Sequence, residues 1–350
     1  MKHILTVDGE EIDNKKTGWL VGKFAPITTG HIYFISMAAT MVSNLTVVMS
    51  YDGKLFKGID YLNLQNRLLY LKTVFKDMPH ITIKYVDETE LKAYPDGWAE
   101  WSELVKQVIP ADAGYVFSSE PAYTDGFKKH FPTCKHVVID NNREQVNISA
   151  TMVRSDPMKY WSFLPSIVRE KLVKRVCVIG TESCGKTTLV KTLAKFFQTS
   201  WVEEYGRSFC ENDLCMSEEL LRFDHYAQIA YRRFDMESQA ARTANKILFA
   251  DTNAFITNFY CKLYEGKENP IVSEFEKMEK YDLILFLDDD VEWVADGLRI
   301  NSDRSKTREL IYEMMSERGF QYSVISGNYN DRMQQAIDLC NELIKTNEEA

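Results

Sequence analysis

The 350-residue sequence has no apolar run that approaches the roughly 20 residues needed to cross a bilayer. Its polar opening, "MKHILTVDGEEIDNKK", lacks the apolar core of a signal peptide. No run of Lys or Arg is long enough to track a nucleic-acid backbone, and 51 acidic against 42 basic residues leave a formal net charge of −9. Anionic ligands must therefore be held by local features, not by a broad basic face. Cysteine is sparse and scattered. The residues at 134, 177, 184, 210, 215, 261 and 340 form no C-x-x-C pair, and the two nearest neighbours, Cys210 and Cys215, lack nearby histidines to complete a zinc set. Reduced, mostly buried thiols are expected. These absences argue against membrane, nucleic-acid and disulfide-scaffold classes and predict a cytoplasmic protein.

What is present is ordinary for a folded chain: 45 % hydrophobic and 27 % charged residues. At about 100–200 residues per domain, the length predicts two domains. Short β-rich runs alternate with helical patterns in both halves. "GWLVGKF", "NLTVVMS", "ITIKYVD", "GYVFSSE" and "KHVVID" read as strands in the first, and "KRVCVIG", "SWVEEYG", "KILFADT", "YDLILFL" and "YSVISG" in the second. The alternation predicts an α/β fold of two doubly wound parallel sheets, with ligands beyond the carboxyl ends of the strands. The boundary falls in "SDPMKYWSFLPSIVREKLVK", which predicts domains 1–168 and 169–350.

"VCVIGTESCGKTTLV" reads strand, then G-x-x-x-x-G-K-T, then a helix from about Gly185: the context of a phosphate-binding Walker A loop. Backbone amides of Gly180, Thr181, Glu182, Ser183, Cys184, Gly185 and Thr188 would surround phosphate oxygens. Lys186 would neutralise the β- and γ-phosphates, and Thr187 would hold Mg²⁺. Such a metal also needs a carboxylate. Asp251 ends the apolar strand "KILFADT", where it would serve either as that ligand or as the cap of the next helix. "ADGLRINSDRSKTREL" carries Arg299, Arg304 and Arg308 in a segment that reads as a lid over ATP or as a solvated charged helix.

In the first half, "GWLVGKFAPITTGHIYFI" runs strand, turn, helix. Thr28-Thr29-Gly30-His31 resembles the (H/T)-x-G-H pattern of the nucleotidylyltransferase superfamily, and Gly22, Lys23, Phe24 and Pro26 precede it at that superfamily's spacing. "ISATMVR" resembles its second signature. The resemblance implies that helix amides and His31 face the phosphates of a nucleoside triphosphate. It also implies that the hydroxyls of Ser149 and Thr151 cap a helix there, and that Arg154 pairs with the phosphates. Lys23, His31 and Arg154 are the catalytic candidates. Thr28 stands where many members have a first histidine.

Taken together, "GKFAPITTGHIYFI", "YPDGWAEWS", "VFSSEP", "ISATMVR", "GTESCGKTTL", "VEEYGR", "LFADT" and "WVADGLR" stand in the order seen in NadR-type bifunctional enzymes, and the chain resembles that family over about residues 18–345. The resemblance implies a nicotinamide mononucleotide adenylyltransferase followed by a ribosylnicotinamide kinase. Its partners would be ATP, nicotinamide riboside, nicotinamide mononucleotide and NAD, with Mg²⁺ at both sites. It implies that Trp98 stacks on the nicotinamide of the mononucleotide, with Trp101 as the local rival and a core position as the alternative. It puts Glu203, Glu204 and Arg207 beside the kinase's nucleoside acceptor, Glu204 being a candidate base, and Trp293 on the nicotinamide ring or at the surface. Some members begin with a helix-turn-helix domain. Only about 18 residues precede the first strand here, too few for that module, so no nucleic-acid partner is expected. A homo-oligomer is compatible with this reading. The same residues would also serve a nucleotide sensor with weak or absent turnover, or the same chemistries on another nucleoside.

Overall fold

Five runs become strands in the first half: β1 (Thr17–Gly22), β2 (Asn44–Tyr51), β3 (Ile81–Asp87), β4 (Tyr115–Ser118) and β5 (Lys135–Val138). The structure is a computed structural model that describes residues 6–7, 10–92, 95–141, 144–291 and 304–346. Its contacts divide the chain into two compact units, Met1–Val168 and Arg169–Ala350. In the first unit the order is β3-β2-β1-β4-β5, all parallel. Every residue of β2 from Leu45 to Ser50 is buried, as a strand covered on both faces requires. On one face, Trp19 and Val116 pack with Val105 of α3 (Trp98–Lys106) and Phe127 of α4 (Thr124–His130).

This strand order turns outward in opposite directions from the β1/β4 pair. The crevice above the carboxyl ends of those two strands is the switch point at which doubly wound sheets bind ligands. The strand expected over "GWLVGKF" stops at Gly22, so Lys23 and Phe24 leave the sheet into that crevice.

In the second unit the strands are β6 (Lys174–Gly180), β7 (Trp201–Val202), β8 (Ile247–Asp251), β9 (Leu283–Leu287) and β10 (Ser323–Ile325), in the order β10-β9-β6-β8-β7 and all parallel. Alternation along β6 sends Val176 and Val178 to one face, against α7 (Lys186–Phe196) and α13 (Tyr329–Ile344). Cys177 and Ile179 face the other way, against α10 (Ala254–Glu265) and α12 (Arg304–Glu317). That two-sided packing explains why "VCVIG", the part of β6 after Lys174 and Arg175, reads as a continuous apolar run. The strand expected over "SWVEEYG" is only two residues long, because Glu204 already stands at the cap position of α8 (Tyr205–Asp213). No helix among the described residues is long and apolar enough to cross a membrane.

Candidate active sites

In the first unit, α1 (Thr29–Thr40) begins directly above β1. Thr28 caps it: its hydroxyl accepts the His31 backbone N–H, while His31 Nδ1 accepts the Thr28 backbone N–H at 3.1 Å. This capping box has an imidazole in the place usually taken by Glu or Gln. Because Nδ1 is an acceptor, the neutral ring carries its proton on Nε2. Phe24, at φ +47, stands edge-on to the imidazole with ring centroids 5.2 Å apart. A Cβ on Gly22 would lie 2.7 Å from the Phe24 ring, so only glycine allows this approach.

The crevice is a cavity of about 570 Å³ lined by Gly22, Lys23, Phe24, Thr28, Gly30, His31, Ser149, Thr151 and Arg154, among others. The two signatures of the first half, whose nearest residues His31 and Ile148 are 117 positions apart in sequence, therefore meet at one site. Ser149 caps α5 (Ala150–Ser155) by accepting the Met152 N–H at 3.1 Å. Thr151 does not cap. It lies within the helix, and its hydroxyl accepts from Arg154 at 2.9 Å. The Arg154 guanidinium also donates to the Ala25 carbonyl at 2.5 Å and stacks over Phe56 at 5.0 Å.

Trp98 and Trp101 do not line this cavity. Trp98 packs against Trp101, Phe127 and Tyr123 and stacks on His130 at 5.8 Å, so it belongs to the aromatic cluster around α3 and α4. Tyr123 is the ring of that cluster that also lines the cavity. Two further features escaped sequence reasoning. Ser118, on the cavity wall, is 2.8 Å from His136 Nε2, whose Nδ1 is 2.9 Å from the Thr124 hydroxyl. Arg67 is fully buried, ties the carbonyls of Lys23 and Ser50 together, and has its pKa pushed down to about 10 by burial. "VFSSEP" signalled Ser118, but no local pattern marks Arg67.

In the second unit the Walker A loop leaves β6 at Gly180 (φ +152), passes Ser183 (φ +51) and enters α7 through Gly185 (φ +92), so the helix starts at Lys186. Left-handed residues in a loop above a helix N-terminus turn successive amides inward, forming an anion-binding nest. Within the loop Cys184 and Glu182 are buried, and Thr188 lies past it, exposed in the first turn of α7. Lys186 is buried and donates to the Thr181 carbonyl at 2.8 Å. Thr187 donates its hydroxyl to Asp251 Oδ2 at 2.5 Å. Asp251 is not the cap of the next helix. Asn253 fills that role, accepting the Ile256 N–H at 3.0 Å.

Among the described residues no three His, Cys, Asp or Glu side chains form a metal cage. The Thr187 and Asp251 pair nevertheless suits Mg²⁺, which takes one or two protein oxygens and completes its shell with phosphate and water.

Arg304 donates to the Val291 carbonyl at 2.9 Å, and Arg308 pairs with Asp288 and Asp289. Trp293 and Arg299 lie outside the described residues. Glu203 is exposed just past β7, Glu204 follows it, and Arg207 pairs with Glu211 at 2.9 Å. Arg332, unforeseen, is 2 % exposed and donates to the carbonyls of Cys184, Asp288 and Gly327, tying the Walker loop to the ends of two neighbouring connections.

Residues 175–332 match the family model of an AAA domain. The chain is 33 % identical over 345 residues to the trifunctional NAD biosynthesis/regulator protein NadR of Salmonella typhimurium, which covers 94 % of this chain and 84 % of the relative. It is 32 % identical, with the same coverage, to the protein of that name from Escherichia coli. A crystal structure of NadR protein in complex with NR is similar at a TM-score of 0.80 and 26 % identity, covering 95 % of this chain and 98 % of that one. Another, in complex with NAD and AMP-PNP, is similar at 0.77 and 28 %, covering 94 % and 96 %. This agreement in sequence and fold runs through both nucleotide sites and nearly the whole length, and the chain belongs to the NadR family.

Proposed function

We propose that the chain makes NAD from nicotinamide riboside in two ATP-dependent steps, phosphorylation by residues 169–350 and adenylyl transfer by residues 1–168. The observation that carries this reading is the presence, in one chain, of a Walker A loop closed by Thr187 and Asp251 and of a separate crevice faced by Lys23, His31 and Arg154.

In the first step the riboside hydroxyl attacks the γ-phosphorus of ATP and ADP leaves. Lys186 exchanges the Thr181 carbonyl for phosphate oxygens, and the loop amides hold the remaining charge. Glu204 is the proposed base, with Glu203 and Arg207 orienting the riboside. In the second step the mononucleotide phosphate attacks the α-phosphorus of another ATP and pyrophosphate leaves. His31 donates from Nε2 to the charge growing at that phosphorus, beside Lys23 and the forked guanidinium of Arg154. Mg²⁺, when bound with ATP, would neutralise phosphate charge in both steps. For the nicotinamide of the mononucleotide we propose Tyr123 as the facing ring, with Trp98 and Trp101 supporting it from behind. Because both steps consume ATP, the cytoplasm is the proposed compartment.

The test is a time course of products from nicotinamide riboside, ATP and Mg²⁺. The intact protein should form NAD, Lys186→Ala should form no mononucleotide, and His31→Ala should accumulate mononucleotide. Formation of NAD by His31→Ala at an undiminished rate would reject the reading of the first site.

A further inference from the structure

Asp251 does not hold its own position. The residue after it, Thr252, lies at φ +66, in the left-handed region where a β-branched side chain is least at ease. That conformation reverses the chain at the end of β8, so that Asp251 faces Thr187 while Asn253 starts α10. It also turns the Thr252 carbonyl inward, where it accepts from Arg233 Nη1 at 3.3 Å and from the Cys177 thiol at 3.2 Å.

Arg233, on α9 (Phe223–Ala241), is 1 % exposed, and its partner Glu279 has a side chain 4 % exposed. Arg233 Nη2 pairs with Glu279 Oε1, and Glu279 Oε2 accepts the Ala254 N–H at 2.9 Å. The pair thus grips the turn on both sides, by the carbonyl of Thr252 and by the amide two residues later. Glu237 and Tyr281 lock it in place: Arg233 donates to both at 3.0 Å, and the Tyr281 hydroxyl donates to Glu237 at 2.8 Å. Among the described residues no hydrogen bond of Arg233, Glu237, Glu279 or Tyr281 reaches the Walker loop, and the network meets Asp251 through the backbone of the turn.

We infer that Arg233 and Glu279 form a clamp that holds the strained Asp251-Thr252-Asn253 turn and so sets the metal-side carboxylate of the kinase against Thr187; Arg233 is a positioning residue. This rests on the kinase reading above.

The full-length protein carries the test. Replacement of a group that orients a metal ligand costs about 10- to 100-fold in metal affinity or activity. Arg233→Lys keeps the charge but cannot span both partners. It should weaken Mn²⁺ binding in the presence of a non-hydrolysable ATP analogue, read by electron paramagnetic resonance, and raise the Mg²⁺ needed for half-maximal phosphorylation, each by about tenfold or more. The KM for riboside should stay within about twofold, and adenylyl transfer by the same preparation should be unchanged, since uniform binding is untouched.

Adding Thr252→Gly, which takes positive φ without strain, should recover much of the lost Mn²⁺ affinity. If Arg233→Lys fails to fold, Glu279→Gln carries the same measurements. Unchanged Mn²⁺ binding and Mg²⁺ requirement would overturn the clamp, and so would a loss of riboside affinity equal to the loss of metal affinity. Asp251→Asn separates the two levels. Full kinase activity in that variant would sink the assignment of Asp251 itself, whereas its loss alongside a normal Arg233→Lys would sink the clamp alone.

Discussion

The hydroxyl of Thr187 and the carboxylate of Asp251, 64 residues apart in sequence, are joined by a hydrogen bond of 2.5 Å. One residue comes from the first turn of α7 and the other from the last position of β8, which lies beside β6 in the sheet. Parallel pairing of these strands brings their carboxyl ends level, so two residues separated by several elements face the same space.

Thr187→Ala should lower the phosphorylation rate by about 10²- to 10³-fold, the usual loss when one group stabilising transferred charge is removed. Thr187→Ser, which keeps the hydroxyl, should stay within about tenfold of the parent. Steady-state kinetics against Mg²⁺ concentration distinguish the two. Equal activity in Ala and Ser variants would remove Thr187 from the metal site.

His31 is part of the α1 cap and, in the proposed reaction, a donor to phosphate, and His31→Gln separates the two. Gln at this helix position can still receive the Thr28 N–H in a capping box, so the melting temperature should change little. NAD formation from the mononucleotide should nevertheless fall by about 10²- to 10³-fold. Phosphorylation of riboside, measured on the same sample, should be unaffected.

Glu237 supplies a pH dependence. Burial pushes its carboxyl up, but Arg233, Arg175 and the Tyr281 hydroxyl outweigh burial and hold it below the ordinary carboxylate range. Its folded pKa is therefore below its unfolded value of about 4.3. The stability it contributes is present above that unfolded value and is lost as pH falls through the folded pKa. Calorimetric scans should show Glu237→Gln melting well below the parent near neutrality, with the gap closing as the pH is taken down through the carboxylate range. A gap that is constant with pH would mean that Glu237 acts by shape and not by charge.

The strands were legible because a strand segment covered on both faces must be apolar, as β6 is from Val176 onward and β8 is from Ile247 to Ala250. The Walker loop and the two first-half signatures were legible because phosphate binding needs particular residues at adjacent positions on one turn. The end of the strand in "SWVEEYG" was not legible for the opposite reason: the strand stops at Val202, and Glu203 and Glu204 lie beyond it. Polar residues at a strand end and at a helix cap look alike when the neighbouring sheet edge is unknown.

Trp98 shows where motif reading stopped. Its place in a family motif implied contact with ligand; in the fold it is half-buried and packs against His130 and Phe127, both on α4. Tyr123, from the turn before α4, is the ring of that cluster that lines the cavity, a placement no local pattern marks. Thr151, too, matched its signature, but the turn of α5 points its hydroxyl at Arg154 and leaves the cap to Ser149.

By itself the sequence determined the chemistry proposed for this protein: two turns with the pattern of phosphate-binding loops, each between a buried strand and a helix, with their lysines, hydroxyls and imidazole at fixed short spacings. Tertiary structure alone decided which distant groups support those turns. Arg67, Arg233 and Arg332 are single charged residues with no local pattern: Arg67 and Arg332 are buried among carbonyls from separate parts of the chain, and Arg233 where the Thr252 carbonyl, two carboxylates and the Tyr281 hydroxyl converge. A buried guanidinium is tolerated only where such acceptors converge, and convergence is a property of the folded sheet, set by strand order and not by spacing along the chain.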